Sequence, residues 1–258
     1  MQSTQQPTSV RAFRARAAFV LFCGVFAACA AGRASAQDAG PPPWLDVAVA
    51  QVKGDRTGEF EDLMKDYLQA RKAAGLPVGQ VFQIVLGNGS EYHIVAPAQS
   101  VAAGMQAQPP MPEADWAQWV SRITDTVDSV KFFYASTYPQ HGVMAPANSP
   151  TPTLILLRKI TVAQGKEAEY EAWVADQYMP AFRQTGPLGH TMSRGVYGDS
   201  LQHYYHAYPL AGFADLDAPD PLIGVLGQRR YDQVFNALDG VVVDHEMVIG
   251  LIRSDLAE

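Results

Sequence analysis

The chain lays down the same order of elements twice, at a spacing of 110 to 112 residues. Such a repeat limits the fold to architectures built from two copies of one unit. Each copy opens with an apolar strand, Leu45 to Val52 and Leu154 to Val162. An amphipathic helix follows and ends at glycine, Phe60 to Gly75 and Tyr170 to Gly186. Two short strands come next, Val81 to Val95 around Gly87-Asn88-Gly89 and Thr191 to Tyr208 around Gly198-Asp199-Ser200. A second helix carries aromatic anchors, Trp116 to Val127 and Arg229 to Leu238, and a last strand closes each copy, Val130 to Ala135 and Val241 to Ile252. Phe60 pairs with Tyr170 at 110, Gly75 with Gly186 and Gly87 with Gly198 at 111, and Tyr92 with Tyr204, Pro97 with Pro209 and Trp119 with Tyr231 at 112. One-residue slips belong in turns, where insertions cost little.

The first helices support this reading. Phe60, Leu63, Met64, Tyr67 and Leu68 recur at helical spacing, as do Tyr170, Trp173, Val174, Tyr178 and Phe182. Pro180 is expected to kink or shorten its helix, because it has no N–H to donate. Strand, helix, strand, strand, helix, strand is the ferredoxin-like plan, an antiparallel sheet with both helices on one face. The bare face needs a cover, and the second copy supplies one within the same chain. The expected fold is therefore α+β: two tandem ferredoxin-like βαββαβ units whose antiparallel sheets pair into an intramolecular α/β barrel. The units run over residues 45–136 and 153–256, joined by a proline-rich linker at 137–152. Gln99 to Pro112 reads as an irregular insertion in the first unit.

The N-terminus carries an address. Arg11, Arg14 and Arg16 precede an apolar run from Ala17 to Ala31, and Ala34-Ser35-Ala36 is a cleavage pattern. Residues 1–36 are expected to be a signal peptide cut after Ala36, with 37–44 a flexible tail and the product periplasmic or secreted. Lipidation at Cys29 is the lesser alternative, since the residue three before it is Phe26. Both cysteines, Cys23 and Cys29, fall in the signal, so thiol chemistry and disulfides drop out of the mature chain. Without its four N-terminal arginines the formal charge moves from −7 to −11. A nucleic-acid partner is not expected of so acidic a chain. No other stretch is apolar enough for a membrane span.

The order of elements, and the segment Glu167-Ala168-Glu169-Tyr170-Glu171-Ala172-Trp173 through Tyr178-Met179-Pro180-Ala181-Phe182, resembles the dimeric α/β-barrel superfamily. That group includes antibiotic-biosynthesis monooxygenases and NIPSNAP-like proteins. The resemblance covers residues 45–255 and implies paired sheets, outer helices and a pocket between sheet and helices. It also implies a pseudo-dimer within one chain, open to further oligomerisation. Some members are cofactor-free monooxygenases or haem-degrading enzymes.

No G-x-S-x-G, H-E-x-x-H or phosphate loop is present, so no metal or cofactor is expected. The densest polar and aromatic cluster is Gln202 to Tyr208. His203 and His206 make no metal pair there, because residues three apart on a strand face opposite ways. Gln202, Tyr204, His206 and Tyr208 share one face. The neighbouring strand puts His190, Met192, Arg194 and Val196 together, with Arg194 where the first unit has Gln83. His206 and His190 are thus the candidate bases. Arg194, Tyr204 and Trp173 are the candidate substrate contacts, a cation for an oxyanion and rings for an aromatic ligand. Asp244-His245-Glu246 reads as a solvated strand end. The second unit, with the richer polar set, is the expected seat of a site. Three functions fit: an exported protein binding a small apolar or aromatic ligand, an enzyme of the monooxygenase-like or haem-degrading kind using a histidine base, and a structural protein without ligand. Secretion, high acidity and the missing motifs favour the first and third over the second.

Overall fold

The computed structural model describes residues 44–185 and 189–257. The signal peptide, its cleavage point, Cys29, nearly all of the 37–44 tail and Gly186 lie outside them. Eight strands form one closed antiparallel barrel: β1 (Trp44–Val52), β2 (Gln80–Leu86), β3 (Glu91–Ala98), β4 (Val127–Thr137), β5 (Leu154–Val162), β6 (Thr191–Tyr197), β7 (His203–Leu210) and β8 (Val242–Ile252). Their order round the ring is β1-β3-β2-β8-β5-β7-β6-β4. Each unit keeps the ferredoxin-like sheet order, β4-β1-β3-β2 and β8-β5-β7-β6. Two seams join them, β2 to β8 and β4 to β6. Neighbours are antiparallel throughout, so β1 and β5, four places apart, run the same way. The duplication is therefore a pseudo-twofold along the barrel axis.

Strand alternation sorts the residues into two layers. Val47, Phe133 and Ala135 point into the barrel and form an inner cluster. Outward residues meet the helices. In the first unit α1 (Thr57–Ala73) brings Phe60, Leu63, Met64 and Leu68 onto Val81 and Tyr92, and α3 (Glu113–Thr126) adds Trp119 and Ile123. In the second unit α4 starts at Glu167–Trp173, passes through a π turn at Val174–Tyr178 and ends at Met179–Phe182. It buries Tyr170, Val174, Tyr178 and Phe182 on Met192, Tyr204 and Tyr208. The π turn sits just before Pro180, which has no N–H for the carbonyl of Asp176; the expected kink thus takes the form of a wider turn. No helix among the described residues is long and apolar enough to cross a membrane.

Three departures from the sequence reading have local causes. The Gln99 to Pro112 stretch holds a short helix, α2 (Val101–Met105), started by Ser100, whose hydroxyl accepts from the Ala103 N–H at 3.0 Å. The second unit has two helices where one was expected, α5 (Pro221–Leu226) and α6 (Gln228–Asn236), because Asp220 caps the first and Gly227 breaks between them at φ 70°. The linker pairs with the barrel: Val143 and His190 exchange N–H···O bonds of 2.8 and 2.9 Å. The offset holds at 110 for β1 and β5, 111 for β2 and β6, and 112 for β3 and β7, then reaches 115 at β4 and β8.

Candidate functional site

The space between sheet and helices occurs twice, and the two copies are filled differently. In the second unit it is solid. The His190 Nδ1–H donates to the His141 carbonyl at 2.8 Å. Neutral His190 then accepts at Nε2 from the Nδ1–H of His206, 2.9 Å away. His206 in turn accepts at Nε2 from the Tyr170 hydroxyl at 2.7 Å. A carbonyl only accepts, so this one contact sets both tautomers and the direction of the whole chain. Both rings are buried, His190 at 1% exposure and His206 at 3%. Burial pushes His190 down to about 4 and His206 further below its usual value. The two expected bases are brought together, but each ring nitrogen already has a partner and no route to a substrate proton remains. Tyr178 and Tyr208 close the same space, hydroxyl to hydroxyl at 2.6 Å.

The three expected substrate contacts are likewise engaged within the protein. Arg194 donates to the Leu201 carbonyl at 2.6 Å, reaches Glu171 at 3.4 Å and lies 5.2 Å from the Tyr204 ring centre. The Tyr204 and Tyr138 hydroxyls both donate to Glu171, at 2.6 and 2.8 Å. Trp173 donates to the Val234 carbonyl at 2.8 Å and so ties α4 to α6. The first unit repeats this with the cation moved. Glu61 accepts from Tyr92 and takes both terminal nitrogens of Arg253, which also reaches Gln83 at 3.1 Å. Glu61 stands to Tyr92 as Glu171 to Tyr204. Arg253 and Tyr138 hold equivalent places just past β8 and β4, each reaching across a seam to the other unit. These are latches between the halves.

In the first unit the space between sheet and helices is a pocket of about 110 Å³. The cause is residue size. Ala48, Ile94 and Ala96 stand where the second unit has Arg158, His206 and Tyr208. Trp116 and Trp119 stack at 5.0 Å and 10° along one wall, with Tyr67 5.0 Å from Trp119. Asp46 faces this pocket, and among the described residues nothing hydrogen-bonds its carboxyl. Burial pushes it up to about 6, with the Arg71 charge pulling the other way. Directly opposite Asp46 on β4 is Tyr134, whose buried hydroxyl has no hydrogen-bond partner among the described residues. Burial and the Asp46 charge push that hydroxyl to about 12. Gly104 of α2 covers it so closely that a Cβ there would lie 2.6 Å from the oxygen. A second cavity, of about 560 Å³, lies inside the barrel.

No family model and no curated protein matches the sequence. Solved structures do. A candidate monooxygenase from Lactobacillus acidophilus aligns over 82% of this chain and 94% of its own, with a TM-score of 0.56 and 10% identity. One from Fusobacterium nucleatum aligns over 82% and 93%, with a TM-score of 0.56 and 11% identity. An anthrone oxidase-like protein aligns over 81% and 90%, with a TM-score of 0.52 and 9% identity. The fold is the dimeric α/β barrel. At such identities the likeness is one of backbone, and no residue role travels with it.

Within this barrel, sequence reasoning passed over Asp46 and Tyr134. A signal was present. Asp46 is the one acid in the β1 run Trp44 to Val52, and its same-face neighbours are Ala48 and Ala50. An acid above small residues on a strand marks a carboxyl with room beside it.

Proposed function

We propose that this protein binds a small phenolic or enolic molecule in the pocket between the first unit's sheet and helices. The reading rests on Asp46, a carboxyl facing an apolar pocket with no hydrogen-bonding partner among the described residues. A half-buried carboxyl against apolar walls, with no hydrogen-bond partner, is costly unless a ligand meets it. A phenolic hydroxyl can donate to Asp46 while its ring lies along the indole wall. At about 110 Å³ the pocket is smaller than the ~150 Å³ cavity that accepts benzene, so it has room for no more than a single ring. The test is a titration with phenol followed by tryptophan fluorescence. Saturable quenching is expected, weakened about tenfold in Asp46→Asn, a loss of about 1.4 kcal/mol, and abolished in Ala96→Phe. Equal binding by all three proteins overturns the reading.

The same carboxyl supports a second reading, proton abstraction. A base ionising near 6 is matched to such work at neutral pH, and two of the similar structures are candidate monooxygenases. Dioxygen uptake with catechol, compared between the protein and Asp46→Asn, tests it: uptake no faster than the variant's leaves a binding protein. The N-terminal sequence supports export. A secreted product whose mass begins at Gln37 is expected, and a chain retained in the cytoplasm with its N-terminus intact refutes it.

A further inference from the structure

The proposed function makes no use of the barrel interior. An eight-stranded barrel is just wide enough for side chains to fill it or for one small ligand to enter. Here the inward residues are small at mid-height, Val47, Val95, Ala135, Ser193 and Ala207, and they leave a chamber of about 560 Å³. Val49, Val95 and Leu157 point inward yet are only half-buried. That volume lies within the range of about 300–1,000 Å³ typical of small-molecule sites.

The charges round the chamber show what it takes. All gather at the end marked by Val49, where β1 and β5 finish, and all are paired with one another. Lys131 meets Asp199, which folds in from the β6–β7 turn and also accepts from Tyr205 and His203. His93 meets Glu91, and Lys159 meets Glu246 at 3.4 Å. Asp199 sits where a Cβ on Gly195 would be, 2.3 Å from its oxygen, so glycine there is what lets this carboxylate enter. A charged ligand would have to break one of these pairs or be buried without a counter-ion. Apolar walls make a poor host for water.

We propose that the barrel interior is a second ligand site, distinct from the Asp46 pocket, for an uncharged and largely apolar molecule. Nile red, an uncharged dye, is the probe, with decanol and decanoate as competitors. The protein is expected to bind one dye and brighten it. Ala207→Trp, which fills the chamber, is expected to weaken binding at least about tenfold, and Ala96→Phe, on the outer face of β3, to leave it unchanged. Decanol displaces the dye and decanoate does not. The opposite pattern in the two variants places the dye in the outer pocket and overturns the proposal. Equal displacement by decanoate overturns its uncharged ligand. Should Ala207→Trp fail to fold, a crystal soaked in 10-bromodecanol decides: bromine inside the ring of strands upholds the site, and bromine only elsewhere refutes it.

Discussion

The two units trace the same path and spend their outer faces differently. Where the second has Arg158, His206 and Tyr208, the first has Ala48, Ile94 and Ala96. Arg158, His206 and Tyr208 fill their space, with both His206 nitrogens and the Tyr208 hydroxyl bonded and Arg158 Nε left without a hydrogen-bond partner among the described residues. The smaller set leaves a pocket whose Asp46 carboxyl has no hydrogen-bond partner among them. A polar cluster that reads as chemistry in the sequence is thus the stiffer half, and the plainer half keeps the room. The Glu–Tyr pairs survive in both, Glu61 with Tyr92 and Glu171 with Tyr204, because each holds a helix to its sheet and a seam to its neighbour.

The sharpest way to break this contrast is His206→Ala. It opens a hole in the filled unit and strands the Tyr170 hydroxyl and the His190 Nε2, so a loss of about 3–5 kcal/mol is expected in chemical denaturation. A loss under about 1 kcal/mol would mean that the chain of bonds is slack. Next come the latches. Glu61→Ala is expected to cost about 2 kcal/mol, and Glu171→Ala less, since Arg253 grips Glu61 with two nitrogens while Arg194 reaches Glu171 only at 3.4 Å. The reverse order would assign the cross-seam hold to the tyrosines.

The pH dependence of melting should divide along the same line. His190 and His206 titrate lower in the fold than in the unfolded chain, so the unfolded state binds more protons below about 6.5. Their contribution is complete above that pH and is lost as pH falls towards 4. Asp46 is raised, so the folded state binds the extra proton, and its contribution weakens as pH climbs from the usual carboxylate range through about 6. Asp46→Asn is therefore expected to raise stability at pH 8 by about 1–2 kcal/mol while it weakens phenol binding. A variant less stable than the parent at pH 8 would show that the carboxyl is satisfied. Arg194→Ala closes the series at about 0.5–1 kcal/mol, read in the same melts, with no change in phenol binding.

Period-two alternation from Gln202 to Tyr208 was legible, and it placed Tyr204, His206 and Tyr208 together on the buried side and Tyr205 and Ala207 on the other. The unit order was legible too, since it rests on hydrophobic patterning that each unit carries locally. Partners from distant segments were not. Nothing near Arg194 in the chain announces Glu171, and Arg253 meets Glu61 from 192 residues away. Burial was the other hidden quantity. His190 reads as a reactive imidazole until the linker carbonyl of His141 is seen to occupy it. Asp46 reads as an ordinary strand acid until the alanines of two strands are seen to meet beneath it.

The closed order of strands also governs how this molecule can meet others. Both seams are hydrogen-bonded, so the described sheet offers no free backbone border on which another chain could add a strand. Runaway stacking of the kind that builds fibrils needs such a border. Any lasting assembly of intact copies must therefore be made by side chains of the outer helices and loops, and can be undone without opening the ring.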